Sequence, residues 1–161
     1  MENILTASLI DTNILVYANN EDSPFHSKCK VLVERAVNGE LKAAIAIQNL
    51  VELYAVITDK RRVERPLSPG KAIKLINFYK AQENIQIIAP TVQTLGTLTL
   101  LIEEHKPKAQ SIFDLFLVAS MMDNNIHEID PLSFYTGTII FVTIFRSLCF
   151  LTYSRSYCIF K

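Results

Sequence analysis

Three short runs of core-forming residues, Ile4 to Ile10, Ala43 to Ile47 and Ile85 to Ala89, are separated by long stretches whose apolar residues recur at helical spacing. Strands that far apart in sequence cannot close as tight hairpins. They pair through helical crossovers, so the sheet is parallel and flanked by helices. Asp11 stands where the first strand ends and a helix through Ile14, Leu15 and Tyr17 begins. After Asp22-Ser23-Pro24, the run His26 to Val37 sets Cys29, Leu32, Val33 and Ala36 at helical spacing, and Asn38-Gly39 stops it. An apolar helix from about Asn49 to Thr58 follows the second strand. Ser68-Pro69 opens a further helix carrying Ile73, Ile76, Asn77 and Lys80 ahead of the third strand. Pro90-Thr91 leads into a helix through Leu95, Leu98 and Ile102, and Ser111 opens one that runs to about Asp123. In sheets of this kind ligands bind beyond the carboxyl ends of the strands, where Asp11 falls.

Three carboxylates interrupt these apolar stretches: Asp11 within Leu9 to Leu15, Glu52 within Leu50 to Tyr54, and Asp114 within Ile112 to Leu117. An ionised carboxylate left alone in an apolar environment costs several kcal/mol or more, so each needs a partner, a proton or a cation. No Lys or Arg lies within three residues of any of them. Taken singly, each has a structural explanation. Asp11 suits a helix N-cap, and Ser111-x-x-Asp114 resembles a capping box with its acid favoured by the helix dipole. Glu52 lies inside a helix with almost no polar face, which capping cannot explain; Lys60 or Arg61 folding back would pair it. Taken together, the three have one common partner, a divalent cation with a preference for oxygen ligands such as Mg²⁺ or Mn²⁺.

Composition narrows the remaining classes. The chain has 161 residues, enough for one domain with its own core, and half of them are hydrophobic. Sixteen basic and sixteen acidic side chains cancel, which leaves no global basic field of the kind that coats duplex DNA. Cys29, Cys149 and Cys158 lack the spacing of a zinc site or a disulfide framework. The start of the chain lacks the pattern of a signal peptide and no uncharged apolar run is long enough to span a bilayer, so a cytoplasmic protein without a membrane partner is expected.

The segments Leu9-Ile10-Asp11-Thr12-Asn13-Ile14-Leu15-Val16-Tyr17-Ala18, Gln48-Asn49-Leu50-Val51-Glu52-Leu53 and Phe113-Asp114-Leu115-Phe116-Leu117-Val118-Ala119 resemble, in order, spacing and flanking residues, the three successive acidic motifs of the PIN-domain family. Among its members the chain looks most like the small VapC-type toxins of toxin–antitoxin pairs. The resemblance covers about residues 4 to 127. It implies a three-layer α/β/α sandwich around a parallel sheet, an acid cluster binding Mg²⁺ or Mn²⁺, endonucleolytic cleavage of RNA, homodimerisation, and a cognate antitoxin that blocks the site. Carried onto this chain, Asp11 is the central metal ligand and Asp114 a second ligand or the holder of an ordered water. Glu52 is a further ligand or the group that orients or deprotonates the attacking water. Thr12 and Asn13 match the small polar positions after the first acid; for Thr12 plain helix capping weighs equally.

The family commonly carries a fourth acid after the strand that follows the Asp114 helix. Here Asp130 comes somewhat early and Glu128 earlier still, so Asp130 is the weaker candidate for a metal ligand. Residues 131 to 161 contain no acid, three basic residues and eight of the fifteen aromatics. That break in composition suggests a nuclease-like domain over residues 1 to 130 and an atypical segment from 131 to 161, read from a shifted frame, replaced or disordered. Lys60, Arg61, Arg62 and Arg65 form the densest basic cluster, and Lys106 and Lys108 shortly precede Asp114; either group suits RNA phosphates, and a solvated surface is the plainer reading of the first. A haloacid-dehalogenase-like phosphatase needs Asp-x-Asp, which Asp11-Thr12-Asn13 lacks. The competing expectation is a degenerate PIN fold that binds antitoxin or RNA without cutting.

Overall fold

The computed structural model describes residues 7–130 and residue 132. What was expected of the tail, an altered reading frame included, lies outside the described residues. Four strands, β1 (Ser8–Leu9), β2 (Ala43–Ala46), β3 (Ile85–Ile88) and β4 (Glu128–Ile129), form one sheet in the order β3-β2-β1-β4 with every pair parallel. The helices are α1 (Thr12–Ala18), α2 (His26–Val37), α3 (Ile47–Ile57), α4 (Pro69–Lys80), α5 (Thr94–His105) and α6 (Ser111–Asp123). The parallel sheet flanked by helices that the crossovers predict, and the α/β/α sandwich that the family resemblance implies, are the fold observed.

Alternation along the strands builds two cores. Ile10, Ala43, Ile45 and Ile85 face one layer, made with α1 to α4 and containing Ile14, Leu15, Cys29, Leu53 and Tyr79. Leu9, Ala44, Ala46, Ile88 and Ile129 face the other, made with α5 and α6 and containing Leu98, Leu115, Val118 and Met121. Each large apolar side chain removed from water contributes about 1.5–3 kcal/mol. All four residues of β2 are buried, and its three alanines leave room for helices on both faces. Gly39, with φ +76°, ends α2 in a left-handed conformation, as Asn38-Gly39 predicts.

Several boundaries differ from expectation. Among the described residues β1 is Ser8–Leu9 only, and α3 starts at Ile47, directly after the last residue of β2. On α4 the buried positions are Ala72 and Tyr79, while Ile73 is 52% exposed; on α5 Leu98 and Leu101 are buried and Leu95 is 67% exposed. Periodicity located these helices, but neighbouring rows of apolar residues compete for the buried face. Tertiary packing decides between them.

Candidate active site

Parallel strands bring the starts of their following helices to one edge of the sheet, and two of the three acids arrive that way. Asp11 occupies the N-cap position of α1 in extended backbone, 7% exposed. Its side chain makes no cap hydrogen bond, so capping does not account for its place there. Glu52 follows β2 on the second turn of α3. Asp114 lies in the first turn of α6, in the opposite helical layer. The capping box expected at Ser111 is absent: the N-cap position is Gln110, and the Ser111 hydroxyl donates to the Lys108 carbonyl at 2.7 Å. Burial pushes the Asp114 carboxyl above its usual range, and the negative charges of Glu52 and Asp11 push it further in the same direction. The structure therefore brings Asp11, Glu52 and Asp114 within electrostatic reach of one another.

Glu52 is held by Thr12, a candidate from the sequence, and by two amides of the second motif, Gln48 and Asn49, to which sequence reasoning assigned no role. Asn49, fully buried, accepts from the Ala46 backbone N–H through Oδ1 (3.2 Å) and donates from Nδ2 to Thr12 Oγ1 (3.1 Å). Thr12 has a single hydroxyl proton and donates it in a hydrogen bond to Glu52 Oε2 at 2.8 Å. On the other side Gln48 Nε2 donates to Glu52 Oε1 (2.9 Å) and to the Phe113 carbonyl (3.2 Å), tying α3 to the first turn of α6. Both partners only accept, which fixes the orientation of the Gln48 amide and leaves Oε1 buried without a partner. The signal for these roles was present: Asn49 and Gln48 are amides in an apolar segment, as anomalous as Glu52 itself. Asn13, the second residue of α1, is partly buried beside Asp11.

Other candidates divide between the site and elsewhere. Lys108 lines an open groove of about 370 Å³ together with Glu52, Gln110, Ser111, Phe113 and Asp114. Lys106, exposed, ends α5 with φ +47° in the same loop. Lys60, Arg61, Arg62 and Arg65 lie beyond the far end of α3. Arg61 is spent on Asp59, whose carboxyl it holds down at about 2, and Arg65 pairs with Asp22. The proposed back-folding of Arg61 onto Glu52 is thus not the arrangement seen.

Asp130 ends β4, with its N–H donating to the Leu9 carbonyl at 2.9 Å. Because Ile129 is level with Leu9, Asp130 is level with Ile10 and faces the layer of α1 to α4. There burial raises its carboxyl, opposed by the Leu132 N–H and the charge of Arg35, and its own charge helps raise the Cys29 thiol. Glu128 accepts a hydrogen bond from Ser8 at 3.3 Å. The structure does not place either acid among the groups acting on Asp114.

A model of the PIN domain matches residues 8–129, three quarters of the chain and all of the acid-bearing elements. The chain belongs to the PIN-domain family. Its relatives include ribonuclease VapC48 of Mycobacterium tuberculosis, 26% identical over 119 residues that cover 74% of this chain and 82% of the relative. Ribonuclease VapC24 of the same organism is 27% identical over 120 residues, covering 74% and 81%. The fold is that of Mycobacterium tuberculosis VapC20, a sarcin-ricin loop cleaving toxin, whose crystal structure superposes with a TM-score of 0.55 at 14% identity over 75% of this chain and 85% of that one.

The acids suit a hard divalent cation by charge and by atom type. The charges acting on Asp114 are both of its own sign, and oxygen donors are what Mg²⁺ and Mn²⁺ take. Among the described residues no set of three or more His, Cys, Asp or Glu is gathered into a metal cage.

Proposed function

We propose that this PIN-domain protein is a Mg²⁺- or Mn²⁺-dependent endoribonuclease, the toxin of a toxin–antitoxin pair, acting in the cytoplasm as a homodimer that a cognate antitoxin silences. One observation supports the reading: Asp11, Glu52 and Asp114, carried by three separate helices, lie near enough for the charges of Glu52 and Asp11 to add to the burial that raises the Asp114 carboxyl. The ribonucleases among its relatives support RNA as the substrate class. Asp11 and Asp114 would hold the ion. When bound it supplies neutralisation of phosphate charge and activation of water.

The chain's own groups do the rest. Thr12 and Gln48 each engage one oxygen of Glu52, and each oxygen keeps a lone pair with which to take a proton from the attacking water. Asn49 fixes the direction of the Thr12 proton and so the attitude of the Glu52 carboxylate. Lys108 meets the substrate backbone at the groove.

Purified protein incubated with structured RNAs is expected to make internal cuts with Mg²⁺ or Mn²⁺. EDTA abolishes them, and so does Asp11→Asn at unchanged circular dichroism. A folded, Mn²⁺-binding protein that cuts nothing would support the second reading, a PIN fold that binds antitoxin or RNA without catalysis. The position of Asp130, turned toward α2, is the observation in that reading's favour.

A further inference from the structure

Phe113 immediately precedes Asp114 and is 59% exposed, although a packed Phe removes a large apolar surface from water. Its ring has no aromatic partner among the described residues, where the ring contacts are Tyr17 with Phe25 and Phe78 with Tyr79. The ring is nevertheless not on a loose segment. The Phe113 N–H donates to Gln110 O at 3.0 Å and its carbonyl accepts from Gln48, so the backbone under the ring is fixed within the start of α6 and tied to α3. On the same groove stands Lys108, exposed and in no ion pair among the described residues, in contrast to Arg61 and Arg65. At about 370 Å³ the open groove is at the small end of the range for ligand sites, the size of a single nucleotide rather than of a longer segment held inside it.

A held aromatic face, one unspent cation and phosphodiester-cutting acids in the next position together describe a site for one nucleotide whose base has left its stack. Bases bind aromatic side chains through their faces, which a base paired and stacked in a helix does not offer. We propose that Phe113 and Lys108 form a subsite for a single unpaired nucleotide beside the scissile phosphate, Phe113 stacking on the base and Lys108 pairing with the phosphate. The substrate is then RNA with an unstacked nucleotide at the cut. This rests on the nuclease reading above and narrows its substrate.

The chain contains no Trp, so Phe113→Trp places a lone indole at the groove. In Phe113→Trp protein carrying Asp11→Asn to prevent turnover, a short unpaired RNA is expected to quench the indole, and the same sequence locked in a duplex is not. Phe113→Ala should weaken binding of the unpaired RNA roughly 5- to 100-fold, with Phe113→Tyr restoring it and thermal unfolding unchanged. Lys108→Gln should reduce the salt slope of binding by about one. Equal quenching by duplex, or Phe113→Ala binding within twofold of wild type, overturns the subsite; the second is also the result if Phe113 instead serves another protein. Failures of the two readings are separable. Cleavage by wild type and Phe113→Ala at equal kcat/KM sinks the subsite alone, whereas Phe113-dependent binding without any cleavage sinks the nuclease alone.

Discussion

Asn49→Ala tests the claim that the relay behind Glu52 is both structural and functional. Asn49 is fully buried, and its removal leaves the buried Ala46 N–H without its acceptor and Thr12 Oγ1 without its donor. Each lost hydrogen bond is worth about 0.5–1.5 kcal/mol net, and an unsatisfied buried group costs about 1–3 kcal/mol. With the Ala46 bond counted inside that penalty, the sum is roughly 1.5–4.5 kcal/mol. For a chain of this size, at about 3 °C per kcal/mol, that lowers the melting temperature by about 5–14 °C, and urea unfolding shows a lower midpoint at an unchanged m-value. The isosteric Asn49→Asp separates the two roles. It keeps an acceptor for Ala46 N–H but replaces the donor to Thr12 with a second acceptor, so the single Thr12 proton is divided between two carboxylates. Glu52 then loses its fixed partner, and cleavage is expected to fall about 10- to 100-fold, the worth of a hydrogen bond to a charged group. Asn49→Ala within about 0.5 kcal/mol of wild type, a change typical of a neutral surface position, refutes the structural claim. Full activity in Asn49→Asp refutes the orienting one.

Asp114→Asn should abolish cleavage while raising the melting temperature of the metal-free protein at neutral pH by about 1–4 °C, a modest figure because the group is partly exposed. Its carboxyl is raised in the folded state, so the fold binds that proton more tightly than the unfolded chain and loses stability as pH climbs from the ordinary value of 3.8 through the raised one. The gain in the variant should therefore vanish in melts below that ordinary value. At the other end of α6, Asp123 accepts from Thr94 (2.7 Å), Thr97 (2.9 Å) and Thr91 (3.3 Å), and the Thr94 hydroxyl, foremost among them, lowers its carboxyl. Thr94→Val, at a position 1% exposed, should cost about 1–2 kcal/mol at neutral pH. Here the sign is opposite: the contribution is full above 3.8 and lost as pH falls through the depressed value, so denaturant midpoints of variant and wild type should draw together in acid.

Periodicity made β1 to β3 and the helices legible because short apolar runs joined by helical crossovers leave few topologies, whereas β4, two residues long, has too few positions to show a period. Asp11, Glu52 and Asp114 were legible because a carboxylate in an apolar segment has few excuses. Gln48 and Asn49 were not, since an amide bears no charge and its role depends on partners far away in sequence: Asn49 reaches Thr12 on another helix and Gln48 reaches Phe113 on a third. The Ser111 box misled for a related reason, as the loop before α6 supplies a carbonyl at Lys108 that takes the hydroxyl first. Asp130 is the most instructive case. Adjacency in the sheet places it close to Asp11, yet the register pairs Leu9 with Ile129, and the alternation of a parallel sheet then turns Asp130 to the face of Ile10, opposite in sense to its neighbour one residue further along β1. A displacement of one residue along β4 would bring an acid level with Asp11. The orientation of Asp130 is thus a matter of register at the end of β4, where the acidic pattern of the chain also stops.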